Sequence, residues 1–407
     1  MRSFVNHLES AIDGSVLPAD QIQTLHAGRP LWVRYDLDAV RRAVNPQVLR
    51  SRSASMWKYR ELLPVPEGRE PVSLGETTTP LLSAPRLGAS LGLSDLWIKD
   101  ESTLPTGSFK CRGLAMAVTM ARHFGLKRLA IPTAGNAGGA MAAYAARAGI
   151  EAFVFMPKDT PVINQAECPL YGAKTFLVNG LINDCGAIVR KHADAMGWFD
   201  CSTLKEPYRI EGKKTMGLEL AEQLDWKLPD VIVYPTGGGT GLIGMWKAFN
   251  ELRTLGWLAS GKMPRMVSVQ SDGCAPIARA FERGERFAEP WANAATCASG
   301  LRVPVAVGDF MILDAIRESG GCALAVPEAD ITGAMRHAVA LEGIPVCPES
   351  AACVIAIQQL VAAGKIAPSE RVVLFNTSTA AKYLEVATPT LPLIENPTEV
   401  APDFFER

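Results

Sequence analysis

From Leu96 onward, the chain alternates short apolar, β-rich runs with stretches of helical spacing. The most regular unit lies between Lys127 and Met156. Leu129, Ala130 and Ile131 form a short buried strand, and Pro132-Thr-Ala-Gly135 turns the chain. Asn136 to Ala148 is Ala-rich and helical, Gly149 ends the helix, and Ala152–Met156 is the next strand. A second strand, loop and helix follow at Val231–Tyr234, Pro235–Gly241 and on through Trp246 towards Leu252. Further buried strands are predicted at Thr175–Val178, Met266–Gln270, Cys322–Val326 and Val372–Phe375, with helices over 328–342 and 351–363 between the last two. This alternation predicts α/β architecture, with parallel sheet covered on both faces. The first seventy or so residues, with many Pro, Arg and Ser, show little periodicity. They read as an arm wrapping the body, with a short strand near Leu31–Tyr35.

At 407 residues the chain exceeds one usual core, so two domains are expected. Hydrophobic content of 48% with 20% charged residues is that of an ordinary packed protein. A net charge of −1 supplies no field for gathering nucleic acid or an anionic membrane. No apolar run approaches the roughly 18 residues that a bilayer crossing needs. Residues 1–14 lack the basic stretch and apolar run of a secretory signal. Nine cysteines, beginning at Cys111, are scattered without a CxxC pair, as in a cytoplasmic protein with reduced thiols.

Four segments carry candidate chemistry. In Pro105-Thr-Gly-Ser-Phe-Lys110, small residues precede a lysine at a predicted helix start, capped by Ser108 or a neighbour. The positive end of the helix dipole favours a neutral amine, which Schiff-base chemistry requires. A solvated first-turn lysine is the plainer reading. Thr133-Ala-Gly-Asn136-Ala-Gly-Gly139 lies at a strand's carboxyl end, where open α/β sheets bind ligands, although Asn136 could simply cap its helix. Pro235-Thr-Gly-Gly-Gly-Thr-Gly241 exposes backbone N–H groups before a helix and suits a phosphate. It matches neither a Walker loop nor a clean dinucleotide fingerprint. Asn376-Thr-Ser-Thr379 puts hydroxyls after a buried strand, either for a ring nitrogen or as a polar turn.

In this order, the set resembles the fold-type II pyridoxal-phosphate enzymes, and within them the threonine synthases. The resemblance extends over most of the chain from about Pro71. It includes Leu74-Gly-Glu-Thr-Thr-Thr-Pro80-Leu, Lys99-Asp-Glu101, Tyr208-Arg-Ile-Glu-Gly-Lys-Lys-Thr215, Pro348-Glu-Ser-Ala-Ala352 and Leu374-Phe-Asn-Thr377, besides the segments above. It implies two open, twisted, mainly parallel sheets flanked by helices, with an N-terminal arm. The domains would be an arm over 1–70, a large cofactor domain over 71–112 and 206–407, and a small α/β domain over 113–205. Lys110 would form the Schiff base with pyridoxal 5′-phosphate and act as the catalytic base. Asn136 would hold the cofactor's 3′-oxygen, Gly237, Gly238, Gly239 and Thr240 its phosphate, and Thr377 would face the ring nitrogen. Arg209 sits where threonine synthases place an arginine for the substrate's phosphate, with Lys205 or Ser202 beside it. An ion pair of Arg209 with Glu206 or Glu211 is the alternative. Thr133 and Ser108 complete the candidate substrate contacts.

Such an enzyme would convert O-phosphohomoserine and water to threonine and phosphate, with a small amino acid as its partner and a homodimer as its assembly. A dehydratase or ammonia-lyase, a β-replacement synthase, or a non-catalytic paralogue are the alternatives. Several positions depart from the threonine-synthase pattern: Cys111 after the lysine, Thr77 or Thr78 in place of a glycine, a phosphate loop of Gly and Thr alone, and Ser378-Thr-Ala-Ala381 before Lys382. These surround the ligand site and bear on substrate more than on cofactor. Where some similar proteins carry a zinc ribbon, only His7 and His26 occur, too few for a tetrahedral site, so no metal is expected.

Overall fold

The computed structural model describes residues 3–388 together with Leu393 and Ile394. The N-terminal segment forms its own antiparallel sheet of β1 (Val5–Ser10), β2 (Val16–Leu17) and β3 (Leu31–Tyr35), with β1 in the centre. Helices Leu37–Ala43 and Pro46–Ser51 follow, each capped by a side-chain oxygen, from Asp36 and Asn45. The arm therefore carries more regular structure than its composition suggested; only β3 is apparent in the sequence.

Two further sheets form the body. β4 (Leu81–Ser83) and β5 (Asp95–Asp100) come first in the chain. Next, β6 (Arg128–Pro132), β7 (Glu151–Pro157), β8 (Lys174–Val178) and β9 (Phe199–Asp200) make a parallel four-stranded sheet in the order β8-β7-β6-β9. β10 (Val231–Pro235), β11 (Arg265–Ser271), β12 (Cys322–Val326) and β13 (Arg371–Asn376) then join β4 and β5. The resulting six-stranded sheet has the order β12-β11-β10-β13-β5-β4 and is parallel except at β4. Every residue of β10 is buried because helices cover both faces. Ile232 and Tyr234 enter the core beneath helices Tyr208–Gln223 and Thr240–Leu255, whereas Val231 and Val233 enter the core beneath Pro348–Ala362.

Strand β12 and the helix Glu328–Glu342 occupy the residues expected from the sequence. The next helix begins three residues earlier than expected, at Pro348, whose fixed φ suits a first turn. Helix Tyr208–Gln223 was not apparent as an element, because its surface is charged and yet almost wholly buried. Several of its charges are paired: Glu219 meets Lys99 at 2.5 Å and Arg112 at 3.0 Å, and Glu211 meets Lys214 at 2.7 Å. Removing one partner from such a pair strands a buried charge, which is why these side chains hold helix Lys110–His123 firmly against its neighbours.

Candidate active site

Four chain segments converge at the carboxyl ends of the strands. β6 leads into Thr133–Asn136, β10 into Thr236–Gly239, and β13 into Thr377, while Lys110 opens helix Lys110–His123. Lys110, Thr133, Asn136, Gly237, Gly238, Gly239, Thr240 and Thr377 all line one cleft of about 820 Å³, its open mouth included. This is the arrangement by which parallel α/β sheets bind ligands.

Lys110 is held to the end of β13. The N–H of Phe109 donates to the carbonyl of Thr377 at 3.0 Å, and Ser108 bridges Ser378 through the backbone. Ser108 is not the helix cap expected: its φ of −160° keeps it extended, its hydroxyl has no partner, and Phe109 stands at the cap position. Burial, reinforced by the nearby Arg209 guanidinium and opposed by the Glu349 carboxylate, lowers the Lys110 pKa to about 8. Desolvation is thus the main cause of its acidity.

The glycine loop fits a phosphate. Its glycines leave no room for side chains: a Cβ on Gly237 would strike the Gly300 carbonyl, and one on Gly238 would lie 2.7 Å from Thr203. Gly239 has φ +76° and faces Ile312. Among the described residues, the N–H groups of Gly237, Gly238 and Gly239 find no protein acceptor. They precede helix Thr240–Leu255, whose dipole favours an anion.

Asn136 stands at the cap position of its helix but makes no side-chain cap bond. Its Nδ2 donates to Ser378 Oγ and Tyr383 Oη, both at 3.2 Å, and its Oδ1 accepts from Asn164 at 3.0 Å. The Thr133 hydroxyl is occupied within its own turn, donating to the Gly135 carbonyl at 2.9 Å. Thr377 has its N–H on Ser350 Oγ at 3.1 Å and its hydroxyl 3.6 Å from Cys347 Sγ.

Arg209 is buried behind the cleft. Nη1 donates to the Cys201 carbonyl at 2.8 Å, while Nε and Nη2 have no partner among the described residues. The suggested ion pair with Glu206 or Glu211 does not form. Glu206 accepts the backbone N–H groups of Tyr208 and Arg209, and Glu211 pairs with Lys214 and Lys247. Lys205 does not line the cleft either; it pairs with Asp200 at 2.8 Å and faces an adjoining recess with Ser202. That recess shares Pro132, Ile182, Thr203, Gly238 and Val303 with the cleft.

Two side chains in the cleft were not singled out in the sequence. Glu349 receives the Gly300 N–H and the Tyr383 hydroxyl on Oε1, both at 2.7 Å, and its buried Oε2 has no partner among the described residues. Tyr383 lies just past the departing segment Ser378–Ala381. Glu349 was quoted within Pro348–Ala352 only as part of a motif, so its position was visible and its chemistry was not.

Residues 72–378 match the family model described as pyridoxal-phosphate dependent enzyme. The chain belongs to that family. It is 36% identical over 371 residues to a threonine synthase of Methanosarcina acetivorans, covering 91% of this chain and 89% of that protein. A threonine synthase of Methanocaldococcus jannaschii is 33% identical, with 92% of each chain covered. Among solved structures, maize serine racemase superposes with a TM-score of 0.66 at 20% identity, covering 81% of this chain and 94% of that one. The fold is the fold-type II pyridoxal-phosphate architecture, and the cofactor of this enzyme is pyridoxal 5′-phosphate.

Proposed function

We propose that the protein is a threonine synthase, a carbon–oxygen lyase that converts O-phosphohomoserine and water to threonine and phosphate. Its relatives by that name are similar over nearly their whole length. The observation that carries the reading is Arg209: a buried guanidinium beside Lys110, with two nitrogens that no atom of the described residues satisfies. A second anion besides the cofactor's would satisfy them.

In this reading the N–H groups of Gly237–Thr240 hold the cofactor phosphate, Asn136 the 3′-oxygen, and Thr377 faces the ring nitrogen. Lys110 provides the attachment point. The cofactor, when bound, supplies an electron sink that makes the substrate's Cα–H bond acidic. Lys110 would take that proton at Nζ, and its pKa of about 8 suits it to exchange protons near neutral pH. A second proton, from Cβ, would have to leave before the γ carbon–oxygen bond breaks with its phosphate held by Arg209, and water would then add at Cβ. The neutral Thr377 hydroxyl gives the ring nitrogen no carboxylate partner, which favours elimination and replacement over transamination. Ser202 and Lys205, in the adjoining recess, stand on a route along which a phosphate can leave.

The reading includes a large domain over 71–112 and 206–407, a small one over 113–205, and an arm over 1–70. It includes a cytoplasmic homodimer, in keeping with nine free cysteines; among the described residues no helix is long and apolar enough to cross a membrane. The test is product analysis on the purified enzyme. Phosphate and threonine released together from O-phosphohomoserine support the synthase. Release of 2-oxobutyrate from threonine, with O-phosphohomoserine untouched, replaces it with a dehydratase.

A further inference from the structure

The amide of Asn136 is held from both sides, and the holding groups connect into one chain. On the small-sheet side, Asn164 Nδ2 donates to Asn136 Oδ1 at 3.0 Å and to Glu167 Oε1 at 3.0 Å. Glu167 Oε2 meets Lys382 Nζ at 2.7 Å, and both side chains are buried. Lys382 belongs to the segment after β13, the last residue of a short helical turn next to Tyr383. The chain thus runs from the helix Val162–Leu170, through Asn136, to the large sheet. Gly139 belongs to the same device, because a Cβ there would collide with the Glu167 carboxylate. Two more ties cross along this rim: Arg302 to Asp159 at 2.7 and 3.0 Å, and Glu385 to the Val162 N–H at 2.9 Å.

An asparagine amide has a donor end and an acceptor end that differ little in shape, so its neighbours decide which end faces which way. Here a donor, Asn164 Nδ2, fixes the oxygen of Asn136 away from the cleft. The nitrogen then faces the acceptors Ser378 and Tyr383 at the cleft wall. Asn164 cannot reverse without turning its own oxygen towards the Glu167 carboxylate, and Lys382 holds that carboxylate in place.

We infer that Asn164, Glu167 and Lys382 are positioning residues: together they orient the Asn136 amide so that its nitrogen faces Ser378 and Tyr383, and one of these two N–H bonds is exchanged for one to the cofactor when it binds. Because Lys382 comes from the large-sheet side, this orientation is complete only when the two sheets are together. The strap rests on the cofactor assignment and not on the substrate, so it stands or falls separately from the synthase reading.

The decisive variant is Asn164→Asp, which is isosteric and replaces the donor by acceptors. It should reverse the Asn136 amide and present an acceptor to the cofactor. Titration of the apo-protein with pyridoxal phosphate, followed by absorbance, should show affinity reduced about tenfold or more. The pH midpoint of the bound-cofactor band should also move, while the apo-protein's melting temperature should fall, because a second carboxylate then faces buried Glu167. Asn164→Ala frees the amide without reversing it and should weaken binding less than Asn164→Asp. Lys382→Met should give a loss of a few fold, and the exchange Lys382→Glu with Glu167→Lys should not recover it, because a lysine at 167 cannot accept from Asn164 Nδ2. Wild-type affinity and an unmoved band in Asn164→Asp would overturn the inference. So would an alanine variant as weak as the aspartate variant, since that pattern belongs to packing and not to orientation.

Discussion

The two walls of the cleft are built by opposite means. The Gly237–Gly239 wall offers backbone N–H groups alone, and its shape is enforced by collisions that any side chain would cause. The Asn136 wall offers one side chain, set by a relay of other side chains reaching from both sheets. A backbone cradle is fixed by the fold and tolerates almost no substitution. A side-chain relay can be retuned one residue at a time. The departures from the threonine-synthase pattern fall on both walls: Ser378–Ala381 borders the second, and the phosphate loop of Gly and Thr alone forms the first.

Lys110 lies between the walls, and its loss should have the largest effect. Lys110→Ala should lower turnover on the order of 10³-fold or more, and borohydride should leave no cofactor label on the corresponding peptide. Arg209→Ala comes next. With O-phosphohomoserine, kcat/KM should fall on the order of 100-fold, with cofactor affinity nearly unchanged; equal losses in both would merge substrate and cofactor functions. Gly239→Ala tests the backbone wall. Strain at φ +76° and the collision with Ile312 should weaken cofactor binding by about tenfold or more in an equilibrium titration.

Glu349→Gln should have the smallest effect, and its sign is definite. The carboxylate favours the charged ammonium of Lys110, so removing its charge should move that pKa below about 8. Arg209→Ala removes an opposing positive charge and should move it up. The pH dependence of pyridoxal-phosphate rebinding by the apo-protein reports both, and a shift in the same direction for the two variants would contradict this electrostatic account.

Legibility in the sequence followed physical range. The turn Thr133–Gly139 and the loop Pro235–Gly241 were readable because strand, glycine turn and helix are consecutive. β12 and its following helix were readable from apolar spacing alone. β1 was not: Val-Asn-His-Leu-Glu-Ser is mostly half-buried, and its partner β3 lies some twenty residues away. The helix Tyr208–Gln223 was hidden because its buried charges have partners on other segments. Arg209 was flagged only through family resemblance, and the absence of its expected ion pair appears only in three dimensions. Glu349 and Tyr383 gave no local signal, since what distinguishes them is the bond to each other across 34 positions.

The bond from the Phe109 N–H to the Thr377 carbonyl has a mechanical consequence. It splices Lys110, the proposed anchor, and Thr377, proposed to face the pyridine, into a single block. Opening the mouth to admit an amino acid can then swing the small sheet aside without stretching the covalent tether. On the proposed reading, entry and exit would be motions of one jaw, with the reactive centre seated in the other.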